Sequence, residues 1–317
     1  MASEDLPEQE KAQEETAGST DLELLDRRNK AFQSDKSLEI GRNFTPRPTD
    51  VFIATYPKCG TTWVTQICHQ LRTGGHMDFE EICDVVPWDI LAHDCGQDLE
   101  AEHVANPRLW KSHEAARDIA KGGKYITICR DPDDVLISFY RFLPAMLAMA
   151  NHSITMEEFV EAVFCGVAHS ESLHDFYVGW WERRNDPNVL WLCYEDLHSD
   201  IDKQIRRIAA FIGVPLNDEL LAKVKEMSSF EFMQARSGQF DEHVIFEKVR
   251  DQMEIPKDYK FGDAPVSKVR AGGGTIGEKE KLSAKVREMM RNQWENVVYA
   301  KTGLRSYADM QAAVSQL

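Results

Sequence analysis

One stretch, Val51 to Gly75, constrains this 317-residue chain more than any other. Its first residues, Val51-Phe52-Ile53-Ala54-Thr55, form an apolar, partly β-branched run of the kind that fills a strand buried on both faces. Tyr56-Pro57-Lys58-Cys59-Gly60 cannot continue that strand, because Pro57 lacks a backbone donor and Gly60 frees the backbone. A helix is predicted from Thr61 or Thr62, with Trp63, Val64, Ile67, Cys68 and Leu71 on one face and Gly74-Gly75 as its stop. Strand, tight loop and helix N-terminus in succession offer unpaired N–H groups and a partial positive charge to an anion. Lys58 adds a full charge, and Thr61 and Thr62 add hydroxyl donors. A phosphate suits that place, although each piece alone would also make a plain βα turn with a surface lysine.

The string Thr55 to Trp63, TYPKCGTTW, resembles the 5′-phosphosulfate loop of the cytosolic sulfotransferase family, usually written TYPKSGTTW. Cys59 stands where the family has serine. The string is not a Walker A loop: Lys58 precedes Gly60, and position 55 is a threonine. The resemblance implies that Lys58, Cys59, Gly60, Thr61, Thr62 and Trp63 hold the cofactor's phosphosulfate end.

Further segments extend the likeness over about residues 45–310. Trp88, in the string VVPW, resembles the family's substrate-gate segment. Leu109-Trp110-Lys111-Ser112-His113 alternates like a strand approaching a site. The family carries Lys-Thr-His there, and its histidine is the general base, which implies that role for His113 with Lys111 beside it. Lys124 to Phe142 repeats the opening logic, with a strand at Tyr125–Cys129, Asp131 as N-cap and Pro132 in the first helical turn. Ser138 lies about two turns after Arg130. CRDPDDVLISFYRF resembles the family's 3′-phosphate segment, and an arginine fork suits a phosphate dianion. Alone, Arg130 and Ser138 would read as a strand cap and a solvent-facing serine.

Val189 to Asp196 is a third buried strand, and its Tyr194 matches the family tyrosine that touches the nucleoside. Ser199 is expected to cap the helix carrying Ile201, Ile205, Ile208, Ala209 and Ile212. Asn217 or Asp218 is expected to cap the next. Ser229, Phe230 and Met233 lie in a segment that resembles the family's adenine side. Phe240 to Val266 shows no clear period and is expected to be a long mobile loop, a candidate lid. Arg270, Ala271 and Gly272 fall on the family's RKGxxGxWK pattern, with Ala271 where the lysine stands. The loop's backbone N–H groups can still face a phosphate. Ser283 is expected to cap a helix that stops near Gly303. The family's dimer motif would fall on Lys279, Ser283, Ala284 and Glu288 with two positions altered, so a homodimer rests on the resemblance alone.

Charge bounds the partners. Lysine and arginine number 37 against 53 acids, a net −16, which argues against nucleic acid and anionic membranes. An anionic cofactor therefore needs locally concentrated positive charge. Residues 1 to 26 hold nine acids against Lys11 and are expected to form a disordered acidic tail, with the catalytic domain over 27–317. The seven scattered cysteines, with no metal-like spacing and no secretory signal, read as reduced thiols in the cytoplasm. No apolar run approaches a membrane span.

Strands alternating with helices predict a single α/β domain, a central parallel sheet with helices on both faces and a P-loop-like loop. The resemblance implies sulfuryl transfer from 3′-phosphoadenylyl sulfate, without metal, to a small acceptor hydroxyl or amine. His113 would be the base and Lys58 would stabilise the leaving phosphate. Trp88, Phe139 and Phe142 suggest apolar acceptor walls. A non-catalytic nucleotide-binding protein and a P-loop nucleotide kinase are the alternatives.

Overall fold

Four parallel strands form the centre of the structure, a computed structural model that describes residues 21–150, 153–165, 171–261, 268–269 and 282–317. They are β1 (Val51–Ala54), β2 (Leu109–Ser112), β3 (Lys124–Cys129) and β4 (Val189–Cys193), ordered β2-β1-β3-β4. Val51 stands opposite both Leu109 and Lys124, and Ala54 opposite Ser112. All four β1 residues are fully buried, as the unbroken apolar run requires when helices flank the sheet.

The helices follow their predicted punctuation. Helix α1 (Thr61–Thr73) begins at Gly60 and ends on Gly74 in the left-handed region, φ 66°. It packs on β1 and β2. Helix α2 (Pro132–Met146) has Pro132 in its first turn and Asp131 as N-cap, the Asp131 side chain accepting from the Asp133 N–H. Helix α3 (Leu173–Glu182) buries Trp180 and Trp181. Helices α4 (Ile201–Ile212) and α5 (Asp218–Met227) cover α1. Asn217 caps α5. The cap of α4 is Asp200, not Ser199, because Tyr194–Ser199 is itself a short helix and the Asp200 carboxylate accepts from the Lys203 N–H. After the short α6 (Phe230–Gln234), the segment expected to be a loop holds helix α7 (His243–Val249), whose Ile245, Phe246 and Val249 enter the core. Residues 262–266 of that segment lie outside the described residues. Helix α8 (Ala284–Gln293) is capped by Ser283 and continues through a π-helical turn to Gly303.

The tail boundary also moves. Residues 21–30 are helical, and Leu25 is 3% exposed. Residues 21–26 of the expected tail thus belong to a helix that is tied to the core by Leu25 and by Arg28, whose Nη1 donates to the Leu147 carbonyl at 2.7 Å. Residues 1–20 lie outside the described residues. At the N-terminal edge of the sheet, Arg108 forks onto Asp50 at 3.0 and 2.6 Å, a buried pair joining the starts of β1 and β2.

Candidate active site

All four strands run the same way, so their C-terminal ends share one edge. That edge delivers Thr55 and Tyr56 after β1, His113 after β2, Arg130 after β3 and Tyr194 after β4. Lys58, Gly60, Thr61, Thr62, Trp63, Trp88, Lys111, His113, Arg130, Ser138, Phe139, Phe142, Tyr194, Phe230 and Met233 all line one cleft of about 260 Å³ above it. Every one of these was expected from the sequence.

The loop after β1 is held open by its backbone. Lys58 has φ 70° and Gly60 φ 100°. A Cβ on Gly60 would meet the Tyr194 ring at 2.9 Å, so glycine is needed for both the conformation and the close approach. Gly60 supplies no side-chain cap to α1. The first-turn N–H groups of Thr61 and Thr62, which no intrahelical carbonyl can satisfy, thus stand at the cleft. The Thr61 hydroxyl lies 2.5 Å from that of Thr55. The Lys58 ammonium sits 3.8 Å over the Phe142 ring.

Cys59 is the exception in this loop. It does not line the cleft; it is fully buried, with its thiol 3.6 Å from the Tyr177 hydroxyl and its N–H donating to the Tyr56 carbonyl. Burial pushes the thiol up to about 12, so it stays neutral.

Arg130 is 3% exposed. Its Nη1 donates to the Lys58 carbonyl at 2.8 Å, and the guanidinium lies 4.2 Å over the Tyr194 ring. Its Nε and Nη2 have no hydrogen-bond partner among the described residues. A buried cation with two idle donors, two helical turns before the buried Ser138, is a ready anion site. Trp63 donates from its indole to the Ser228 carbonyl at 2.9 Å and meets the His198 ring at 4.8 Å. With Tyr194, Phe230 and Met233 these rings form a flat-walled pocket beside the anion site. Ser229 does not line it: its hydroxyl is spent capping α6, accepting from the Phe232 N–H, and Ser228 takes its place. Arg270, Ala271 and Gly272 lie outside the described residues.

At the other end stands His113, whose Nδ1–H donates to the Thr55 carbonyl at 2.6 Å. In the neutral ring that bond leaves the lone pair on Nε2, the arrangement a base requires. The Trp88 ring meets His113 edge-on at 4.9 Å and carries the Lys111 ammonium 3.5 Å above its face. Backbone bonds of the Lys111 N–H to the Pro87 carbonyl and of the Asp89 N–H to the Lys111 carbonyl fix that relation. Lys111 pairs with Glu242, as does Lys268. Burial pulls Lys111 down to about 8, while the two lysines hold Glu242 down at about 2 despite its burial.

Several lining residues escaped the sequence reading: Phe32, Leu143, Met146, His198, Glu242 and Lys268. Leu143 and Met146 carried a usable signal, since with Phe139 and Phe142 they recur at one helical face of α2. Phe32 and Glu242 carried none; both reach the cleft by tertiary packing of segments without periodicity. Among the described residues no helix is long and apolar enough to cross a membrane.

Residues 48–258 match the sequence model of a family described as the sulfotransferase domain. Sulfotransferase 1E1 of Cavia porcellus is 33% identical over 202 residues, 60% of this chain and 67% of the relative. The amine sulfotransferase of Oryctolagus cuniculus is 32% identical over 203 residues, 62% and 67% of the two chains. Among solved structures, retinol dehydratase in complex with retinol and PAP superposes with a TM-score of 0.63 at 20% identity, covering 85% of this chain and 88% of that one. Mouse sulfotransferase SULT7A1 complexed with PAP gives 0.59 at 20% identity, over 84% and 91%. At that identity the likeness is one of fold.

Proposed function

The chain belongs to the sulfotransferase family and is an enzyme of sulfuryl transfer, and on that premise we propose that it moves the group from 3′-phosphoadenylyl sulfate to a hydroxyl or amine of a small apolar or aromatic acceptor. One observation carries the reading: the phosphate loop, the idle donors of Arg130 and the base-oriented His113 open into a single cleft. A nucleotide site and a proton acceptor within one cavity suit group transfer better than nucleotide storage.

The donor fits the residues present. Arg130 Nε and Nη2 are buried without partners among the described residues, and a 3′-phosphate would satisfy both, with the Ser138 hydroxyl nearby. Thr61, Thr62 and the α1 N-terminus would hold the 5′ end, and Trp63, Tyr194, Phe230 and Met233 the nucleoside. The bound donor supplies the activated sulfuryl group.

The protein's own work is then positioning and charge. His113 Nε2 takes the acceptor proton, and the Thr55 carbonyl keeps the ring in the competent tautomer. With the donor bound, Lys58 would stabilise negative charge developing on the leaving phosphate, and Lys111 could help neutralise the sulfuryl oxygens. Around this point Lys58, Lys111, Lys268 and Arg130 outnumber Glu242, so a chain of net −16 keeps a positive site. The acceptor would rest against Phe32, Trp88, Phe139, Phe142, Leu143 and Met146. Retinol and androsterone in the retinol dehydratase structures are ligands of that apolar character.

The direct test is transfer of labelled sulfate to a panel of phenols, alcohols and amines in the presence of a metal chelator. Product with at least one apolar acceptor supports the reading. Tight binding of the nucleotide with no transfer to any class would favour a non-catalytic nucleotide-binding protein.

A further inference from the structure

We propose that Glu242 is the positioning residue of the cleft, its one carboxylate setting where the ammonium groups of Lys111 and Lys268 stand. The inference rests on the sulfuryl-transfer reading above, and adds a residue that reading does not require.

The geometry is a buried triad. Glu242 Oε1 pairs with the Lys111 Nζ and Oε2 with the Lys268 Nζ, and the Glu242 side chain is 2% exposed. Lys111 comes from β2, Glu242 from the start of α7 and Lys268 from a later segment, so one side chain ties three separate parts of the chain. Without the carboxylate, two ammonium groups would face each other in a low-dielectric wall. With it, Lys111 is fixed from two sides: by Glu242 and by the Trp88 ring, whose edge contact is His113.

Glu242 is not spent on local structure. It precedes α7 as N-cap but makes no side-chain cap bond. The Val244 N–H is satisfied by Glu81, and His243 by Asp241 through an Nδ1 contact of 2.7 Å. Yet its backbone sits at φ 66°, a region that a glutamate seldom adopts and that persists only where the surroundings dictate it. What that conformation achieves here is to aim the carboxylate at the two lysines.

A purely structural anchor and a positioning residue differ in what they do to Lys111. The charged or titratable groups acting on Lys111 are Glu242, Lys268 and Cys83, with Glu81, Asp241 and His243 surrounding Glu242. Burial keeps the Cys83 thiol neutral. Burial lowers Lys111 most, Glu242 opposes the fall and Lys268 adds to it. Removing the Glu242 charge should therefore let Lys111 lose its proton at lower pH. Removing the Lys268 charge should do the reverse.

The test is a pH titration of protein labelled with ¹³C at the lysine ε carbons, with the Lys111 signal assigned by its loss in Lys111→Arg. In Glu242→Gln the Lys111 midpoint is expected to fall by about one unit or more, the scale of an opposite charge at contact distance. In Lys268→Met it is expected to rise, and in Glu242→Asp to stay nearer the wild type. An unmoved midpoint in folded Glu242→Gln overturns the proposal. If that variant does not fold, an unmoved midpoint in Lys268→Met overturns it instead. The alkaline limb of kcat is read in parallel. Midpoints that move while the limb does not would uphold the positioning by Glu242 and remove Lys111 from the chemistry, so the two readings fail separately.

Discussion

Arg130 donates to the carbonyl oxygen of Lys58 at 2.8 Å, so the end of β3 and the loop after β1 are joined through one guanidinium. That bond uses only Nη1. The remaining donors, Nε and Nη2, are buried without partners among the described residues, and burial without satisfaction is costly unless a ligand repays it. One side chain thus braces the loop after β1 and keeps two further donors for an anion.

Arg130→Ala should weaken binding of adenosine 3′,5′-bisphosphate by about 2 kcal/mol or more, the scale of lost charged hydrogen bonds. Adenosine 5′-monophosphate should lose less, since for it only the support of Lys58 is removed. Calorimetric titration of both ligands against both proteins decides it. Equal losses would leave Arg130 as loop support and vacate the proposed 3′-phosphate site.

His113→Ala should lower kcat by ~100-fold or more, the typical contribution of a general base. Affinity for the product nucleotide should be nearly intact, because Lys58, Arg130 and Tyr194 hold their positions without the imidazole. A variant retaining more than about a tenth of wild-type kcat would remove His113 as base on the same scale.

The sequence was most legible where local chemistry alone dictates the backbone. Gly60, Gly74, Asp131 and Pro132 announce their turn and caps whatever surrounds them, so β1, α1 and α2 were readable, and with them the place of Lys58; Arg130 and Ser138 were singled out only by the resemblance of their string to the family's. Cys59 shows the limit of a motif: its place in the string was legible, but which way its side chain turns depends on Tyr177, far along the chain. Ser229 is similar: its place in the string was legible, but its hydroxyl accepts from the Phe232 N–H as a local cap, and Ser228 is the serine that lines the cleft. Glu242 and Phe32 could not be read at all. Neither sits in a period or a motif, and each acquires its role only when distant segments meet over β2.

Glu81→Gln should stabilise the protein at alkaline pH and leave it little changed in acid. The Glu81 carboxyl is fully buried, with Oε1 lacking a partner among the described residues. Burial, and then the charge of Glu242, pushes it up from 4.5 to about 7. A raised acid costs stability as pH climbs from its unfolded value to its folded one, because over that window the unfolded chain sheds a proton that the folded chain keeps. The penalty is complete above about 7 and amounts to about 3 kcal/mol at ~1.4 kcal/mol per unit. Glutamine mimics the protonated form. Melting curves at several pH values check this: a gain at pH 8 that shrinks towards pH 4.5 is expected, and a gain independent of pH would refute the ionisation argument.

Phe32→Ala should change both stability and acceptor choice. The ring is almost fully buried, meeting the Trp88 ring at 5.2 Å and the Phe246 ring at 5.9 Å, and it lines the cleft. Its deletion removes a core side chain and leaves a cavity, at a cost of about 3–5 kcal/mol. The main chain should hold, because the Phe32 carbonyl accepts from Gln252 at 2.9 Å regardless of side chain. The new space opens on the acceptor side, next to the Trp88 ring that flanks His113. Larger apolar acceptors should therefore gain in kcat/KM relative to smaller ones. Phe246→Leu is the control: Phe246 touches Phe32 but does not line the cleft, so it should cost stability without shifting the acceptor ratio. Competition between a small phenol and a polycyclic alcohol, run with wild type and both variants, reads the ratio directly. An unchanged ratio in folded Phe32→Ala would take Phe32 out of the acceptor wall.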